Sequence, residues 1–355
     1  MQNARQEQNG IKIRPAYVAI PVIIGIAVVA WLFWDEFANF DWQAVSLTPT
    51  VLAGLTLALA ALAGREMGYM WRYKRLTDGD LSWLQSFKVC MLCEFTSAIT
   101  PTAVGGSSMA MVFMNREGIN FGRGTALMII TLFLDELFFV ISCPLIVALT
   151  PFDSLFGTFD VEFSIGLKWV FWGVYALITA WTLLLFIGII AKPQGLKRLL
   201  VMLFSLPVLR RWKTKAARMA VNMQSASVEA RSKSVKWWAE AFAATALSWT
   251  CRYVMVCFLF LAFVPGSNQW LVFARQGVIW LLLLVCPTPG GSGVSEWLFS
   301  EYYADIMGSA QIGLVIALTW RILSYYIYLV IGLAVIPSWL SGKNKASRPS
   351  KQKTA

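Results

Sequence analysis

The sequence predicts an all-α protein that crosses a membrane several times, and three observations lead to this fold class. The chain has 355 residues, of which 58% are hydrophobic and only 14% charged, too apolar for a soluble globular protein. Apolar runs such as 51–62 and 177–190 recur along the chain. Lys and Arg are concentrated in short segments between these runs. We expect about six full spans and two re-entrant helical hairpins, arranged as an inverted-topology repeat.

The positions of Lys and Arg predict the orientation. The basic segments 1–15, 71–82, 115–124, 191–236 and 338–355 hold 24 of the 30 Lys and Arg residues. The segments 35–48, 151–165 and 301–309 contain acids but neither Lys nor Arg. Because cytoplasmic loops are enriched in Lys and Arg, the basic segments are expected inside. The prediction is a multi-pass protein of the cytoplasmic (inner) membrane with both termini in the cytoplasm.

The apolar segments predict one transmembrane domain over 16–337, between a cytoplasmic segment 1–15 and a basic cytoplasmic tail 338–355. Full spans are expected near 16–34, 49–70, 125–149, 166–190, 237–262 and 310–337. The first half of the domain covers about 49–149 and the second about 237–337. The basic segment 191–236 between them has an apolar stripe and is expected to lie on the inner leaflet. A solvated loop behind a stop-transfer anchor is the alternative.

Two segments rich in proline and glycine interrupt the apolar pattern. Residues 286–296 read CPTPGGSGVSE and residues 100–108 read TPTAVGGSS. Proline and glycine oppose a continuous helix, and broken backbone at membrane depth must be packed in protein or line a cavity. Given this distribution of Lys and Arg, segment 83–114 must start and finish on the cytoplasmic side of the membrane. Segment 269–304 must start and finish on the outer side. Each is therefore predicted to be a re-entrant hairpin that turns near the midplane, with ordinary helix pairs and surface loops as the alternative.

Charged residues inside the apolar segments are the strongest signal of a site, since each costs at least about 2.5 kcal/mol to insert. Glu136 lies 30 residues after Gly106, and Arg321 lies 30 residues after Gly291. In an inverted repeat these opposite charges occupy equivalent positions, so we expect them to meet or jointly line a cavity. An ion pair that only stabilises the bundle is the alternative.

The hairpin tips offer a second kind of site. A helix that restarts after Gly-Gly-Ser presents free N–H groups, which favour phosphate or carboxylate. The predicted substrate-binding residues are Thr100, Pro101, Gly105, Gly106, Ser107, Asp135, Glu136, Arg252, Pro289, Gly290, Gly291, Ser292, Glu296 and Arg321. Arg65 and Arg72, near the inner end of the second span, are either snorkelling anchors or a phosphate-gathering rim at the inner leaflet.

Composition also argues against several chemistries. The chain has no histidine, which excludes imidazole catalysis and imidazole metal ligands. Its six cysteines all lie in apolar segments, where small buried hydrophobic side chains are expected. We expect no metal, no cofactor, no catalytic residue and no enzymatic activity. The net charge of +11 resides in loops beside spans, so nucleic acid is not an expected partner.

Several segments resemble one family. Residues 287–296 (PTPGGSGVSE), residues 100–106 (TPTAVGG), the loop 115–118 (NREG) and residues 321–326 (RILSYY) are similar to the lysylphosphatidylglycerol synthase transmembrane-region family. The likeness covers roughly 45–337. Members are flippase-like integral membrane proteins, and fused members continue into a soluble aminoacyl-transferase domain. This chain ends about 18 residues after its last span, so the resemblance implies a stand-alone carrier.

The expected function is movement of an amphipathic lipid between leaflets: a phospholipid, an aminoacyl lipid or a lipid with a polyprenyl-linked head group. The head group would pass between the two tips and the buried charges. An ion or small-solute secondary transporter on the same scaffold and a membrane-embedded lipid-modifying enzyme are the alternatives. The expected partners are membrane lipids, either anionic phospholipid or another lipid cargo. A homodimer is an alternative to a monomer.

Overall fold

A computed structural model gives the architecture of most of the chain. It describes residues 48–99, 105–157, 159, 161–191, 221, 224, 226–284, 286 and 294–341, and within these ranges the regular structure is helical, with no strand. The first expected span, both termini and most of the segment 191–236 lie outside the described residues. The predictions made for them are not tested.

The first half contains four helices. They are α1 (Pro49–Leu76), α2 (Trp83–Ile99), α3 (Gly105–Arg116) and α4 (Phe121–Leu149). Helix α1 begins where the Thr48 side chain accepts the amide N–H of Val51 at 3.3 Å, with Pro49 in the first turn. A short 3-10 helix (Phe152–Phe156) leads to α5 (Val161–Phe186), which continues into a π-helical turn (Ile187–Ala191).

The second half repeats this order. It comprises α6 (Val235–Phe263), α7 (Gln269–Leu283), α8 (Val294–Met307) and α9 (Ala310–Arg321), then a π-helical turn (Ile322–Tyr326) and α10 (Ile327–Ser341). Five helical segments of the described chain are long and apolar enough to cross a membrane: Pro49–Leu76, Phe121–Leu149, Glu162–Ile190, Val235–Phe263 and Ala310–Gly332. They coincide with the five full spans expected after residue 48. The chain is an all-α polytopic membrane protein.

Helices α1 and α6 pack side by side in antiparallel directions. A Cβ atom added to Gly54 would lie 2.5 Å from Cβ of Ala262, and one added to Gly68 would lie 2.4 Å from Oγ of Ser248. The Ser248 hydroxyl donates to the carbonyl oxygen of Arg65 at 3.0 Å. Residue numbers therefore rise along α1 as they fall along α6. Small residues let the two backbones approach closely, as is usual where membrane helices associate.

Replacing Gly54 by Leu is expected to destabilise the protein by about 1–3 kcal/mol or more, because the new side chain must push α1 away from α6. The measurement is the thermal unfolding midpoint of the purified protein in detergent. Gly173→Leu on α5 is the control, since a Cβ there meets nothing within 4 Å. Equal losses for both variants would contradict this packing.

The two halves repeat one packing scheme. Helix α1 packs on α2 as α6 packs on α7, and α3 packs on α4 as α8 packs on α9. The first helix of each interrupted pair also contacts the last span of the other half, α2 with α10 and α7 with α4. This correspondence is what an internal repeat predicts.

Each half contains a pair of short helices separated by a proline- and glycine-rich segment. Helices α2 and α3 have 17 and 12 residues, and α7 and α8 have 15 and 14. At about 1.5 Å per residue, all four are shorter than the roughly 30 Å of bilayer hydrocarbon. Residues 100–104 and most of 285–293 lie outside the described residues.

Candidate functional site: a charged cavity between the halves

A cavity of about 200 Å³ lies beside the middle turns of α4 and α6. Residues of α1, α2, α4, α6, α7 and the segment 324–328 line it, so both halves contribute. Its charged lining residues are Arg72, Glu94, Asp135, Glu136 and Arg252. Apolar side chains, including Leu132, Phe139 and Leu284, form the rest of its wall.

Arg72 and Asp135 form an ion pair at the cavity wall. An Nη of Arg72 lies 2.5 Å from Oδ1 of Asp135, and the arginine side chain is only 3% exposed. The indole N–H of Trp249 donates to the same carboxylate oxygen at 2.9 Å. The guanidinium also lies 4.7 Å from the centre of the Tyr69 ring, a cation–π distance. This pair connects α1, α4 and α6.

Arg65 is the centre of a second charged group beside the cavity. Its guanidinium lies 2.7 Å from a carboxylate oxygen of Glu94 and donates to Glu66 and to the hydroxyl of Tyr328. The Tyr328 hydroxyl in turn donates to Glu66 at 2.6 Å. Arg65 and Arg72 are seven residues apart, two helical turns, so both lie on the same face of α1.

Arg252 is held differently from these two arginines. Its guanidinium carbon lies 4.7 Å from the centre of the Trp249 ring and 4.3 Å from that of Trp280. Its ion-pair contact with Glu94 is long, at 3.8 Å. The indole rings thus hold the cation at the cavity mainly through cation–π attraction.

Glu136 lines the same cavity, next to Asp135 in the sequence. Its Oε2 atom is fully buried and has no hydrogen-bond partner among the described residues. A buried carboxylate oxygen without a partner is costly, so such an atom is a candidate contact for a ligand.

A third charged group, Glu296 and Arg321, lies outside the cavity lining. The Arg321 guanidinium is 2.6 Å from Glu296, with side chains 5% and 1% exposed. Ser295 donates to the other oxygen of Glu296 at 2.8 Å. Glu136 and Arg321 were expected to meet or jointly line a cavity, but within the described part of the chain Arg321 pairs with Glu296 and only Glu136 lines the cavity. Equivalent positions in a repeat are related by its symmetry axis and need not be in contact, and Arg321 pairs with an acid of its own half.

The structure places Arg65 and Arg72, the expected inner-leaflet rim, inside the protein. Both arginines are 3% exposed and face the protein interior. The apolar pattern predicts an end of this span at residue 70, whereas α1 continues to Leu76. Arg65 is therefore deeper in the helix than expected, and the ion pairs with Glu94 and Asp135 satisfy the two charges.

The predicted tip residues are only partly described. Gly105, Gly106 and Ser107 form the first turn of α3. The remaining tip residues, Thr100, Pro101, Pro289, Gly290, Gly291 and Ser292, lie outside the described residues. Their role in binding stays a prediction.

Sequence analysis missed several residues that complete the site. They are Glu66, Tyr69, Trp249, Trp280 and Tyr328. The seven-residue spacing of Arg65 and Arg72 was the available signal for Tyr69, since it marks a charged face of α1. No such signal existed for the tryptophans, which approach Arg252 through tertiary packing. In the described part of the chain, no three Cys, Asp or Glu side chains are placed to hold a metal ion.

Comparison with known proteins places the chain in a family. The lysylphosphatidylglycerol synthase TM region matches residues 18–332. The chain is 21% identical over 318 residues to a UPF0104 membrane protein of Archaeoglobus fulgidus, covering 88% of this chain and 94% of that relative. No solved structure gives a significant match. Because the match extends over most of its length, the chain belongs to the family of the lysylphosphatidylglycerol synthase transmembrane region.

Proposed function

We propose that this protein moves an amphipathic lipid between the two leaflets of a membrane. The head group would enter the charged cavity while the acyl chains stay in the surrounding hydrocarbon. The observation that carries this proposal is the cavity itself, in which the described residues combine two guanidiniums and three carboxylates with an apolar wall beside the middle of α4 and α6. Charged groups at such depth are costly unless they pair or serve a polar guest.

A comparison with a buried arginine outside the cavity lining supports a ligand role for the cavity. Arg275 is 2% exposed and makes two hydrogen bonds to Asp305, at 2.6 and 2.8 Å. It also donates to the backbone carbonyls of Ser154 and Tyr302. Such saturation is expected of a structural ion pair. Within the described residues, Arg252 has a single carboxylate contact, at 3.8 Å, and it lines the cavity.

The interrupted helix pairs have a place in this mechanism. In our proposal α2–α3 and α7–α8 are the two re-entrant hairpins, and their tips meet the head group at the midplane. Three features support this part: the short helices, the repeated packing scheme and the proline- and glycine-rich segments at the breaks. The broken backbone would offer N–H groups to a phosphate.

The test is lipid movement in vesicles that contain the purified protein. Phospholipids labelled on an acyl chain are placed in both leaflets, and a membrane-impermeant reductant bleaches those that reach the outer leaflet. We expect bleaching beyond the outer-leaflet fraction, at a rate well above that of protein-free vesicles. Arg252→Gln should lower the rate roughly tenfold or more, because a cavity cation is lost.

Lys168→Gln is the matched control, because Lys168 pairs with the 92% exposed Asp153 away from the cavity. It should leave the rate unchanged. The proposal fails if none of the labelled phospholipids moves faster than in protein-free vesicles. Uptake of a soluble solute by the same vesicles, without lipid movement, would instead favour a solute transporter on this scaffold.

A further inference from the structure

In the described part of the chain, three residues that line the cavity carry buried polar atoms without hydrogen-bond partners. Among the described residues, no hydrogen-bond partner reaches Nε of Arg72, Nε of Arg252 or Oε2 of Glu136, and all three atoms are buried. All three residues line the same cavity. Their side chains therefore bring two cations and one carboxylate to the cavity, each with hydrogen-bonding capacity that no described residue uses. Burying such groups without partners is costly, so a ligand that satisfies them binds favourably.

The internal ion pairs define the charge left for a ligand. Asp135 is paired with Arg72, and Glu94 is paired with Arg65. After these pairs, one guanidinium with only a long carboxylate contact, Arg252, and one carboxylate, Glu136, remain at the cavity. A purely anionic head group would bring further negative charge toward the unpaired Glu136. A purely cationic one would leave Arg252 without an anion.

We infer that the cavity binds a zwitterionic head group that carries both a phosphodiester and a primary ammonium. The phosphate contacts the guanidiniums of Arg252 and Arg72, and the ammonium donates to the Glu136 carboxylate. Guanidinium and phosphate form strong charge-assisted hydrogen bonds, and an ammonium has three N–H donors. This assignment rests on the proposed lipid transfer and names its preferred substrate class.

Size and donor chemistry exclude neighbouring classes. The cavity of about 200 Å³ is smaller than the roughly 300–1,000 Å³ of sites that enclose drug-sized ligands, which suits a short head group and not a glycan of several sugars. A quaternary ammonium has no N–H to donate to Glu136. Among phospholipids, the ethanolamine type therefore fits better than the choline or glycerol type.

The experiment compares three acyl-labelled lipids in the vesicle assay: a phosphatidylethanolamine, its N-acetyl derivative and a phosphatidylglycerol. N-acetylation removes the cation and keeps the phosphate. We expect the ethanolamine lipid to move at least tenfold faster than the other two. Glu136→Gln should remove most of this preference by slowing the ethanolamine lipid selectively. Glu240→Gln is the control, because Glu240 pairs with Arg75 outside the cavity lining.

Each outcome decides one proposal. Equal rates for the three lipids, or a Glu136→Gln variant that keeps the preference, would overturn the zwitterion assignment while lipid transfer stands. No movement of any lipid would overturn the transfer function itself. Glycerophosphoethanolamine, the soluble head group without acyl chains, tests whether the ligand is a lipid. If it is, an excess of this compound should inhibit lipid movement only weakly. Its accumulation inside the vesicles without lipid movement would identify a soluble zwitterion as the cargo and overturn the lipid assignment.

Discussion

Replacing Arg321 by Leu is expected to lower the free energy of unfolding by about 3–5 kcal/mol, the usual cost of removing one partner from a buried ion pair. The variant leaves the Glu296 carboxylate, whose side chain is 1% exposed, without its guanidinium. Ser295 still donates to that carboxylate, but a hydroxyl supplies no opposite charge. Chemical or thermal unfolding in detergent measures the loss.

The double variant Glu296→Met/Arg321→Met distinguishes loss of the pair from a general packing defect. Replacing both charges by hydrophobic side chains of similar length should restore most of the stability. Lys168→Leu, which breaks an exposed pair with Asp153, should change stability by less than about 1 kcal/mol. A double variant as unstable as Arg321→Leu would show that the charge pairing is not the cause.

Replacing Arg72 by Gln is expected to slow lipid movement roughly 30-fold, since a lost hydrogen bond to a charged group costs about 2 kcal/mol. The change removes a cavity cation and leaves Asp135 with the Trp249 indole as its hydrogen-bond donor. The phosphate then meets a cavity with one positive charge fewer. The measurement is the initial rate in the vesicle assay, at equal amounts of folded protein.

Arg72→Lys is the informative companion, because lysine keeps the charge without the planar guanidinium that reaches two acceptors. It should recover part of the rate. Thr245→Val is the control for the local fold, since Thr245 accepts only a 3.3 Å hydrogen bond from Arg72. An Arg72→Gln protein that transports at the normal rate would show that this ion pair has only a structural role.

Hydropathy predicted most of the architecture. The five full spans after residue 48 follow from composition, because a bilayer demands long apolar helices. Helix α2 ends at Ile99 and α3 begins at Gly105, and α7 ends at Leu283 before α8 begins at Val294. The stretches between these helices overlap the two segments that the sequence marked.

The partners of the buried charges could not be predicted in the same way. Asp135, Glu136 and Arg252 were named because charge is rare in apolar segments, and all three line the cavity. Pairing depends on how each helix is rotated and on which helix lies beside it, and neither is encoded in the spacing of one segment. Aligning the two halves therefore suggested Glu136 as a residue that could meet Arg321. The ion-pair partner of Arg321 is Glu296 on the adjacent α8.

The π-helical turn at Ile322–Tyr326 has a consequence for how this span can change in evolution. A π-turn holds an additional residue, and each residue of an α-helix adds about 100° of rotation. Before the turn Arg321 faces Glu296, and after it Tyr328 faces Arg65 and Glu66. Deleting a single residue here would rotate everything downstream by more than a quarter turn. Relatives must then keep the same number of residues between these two partners or lose one of them.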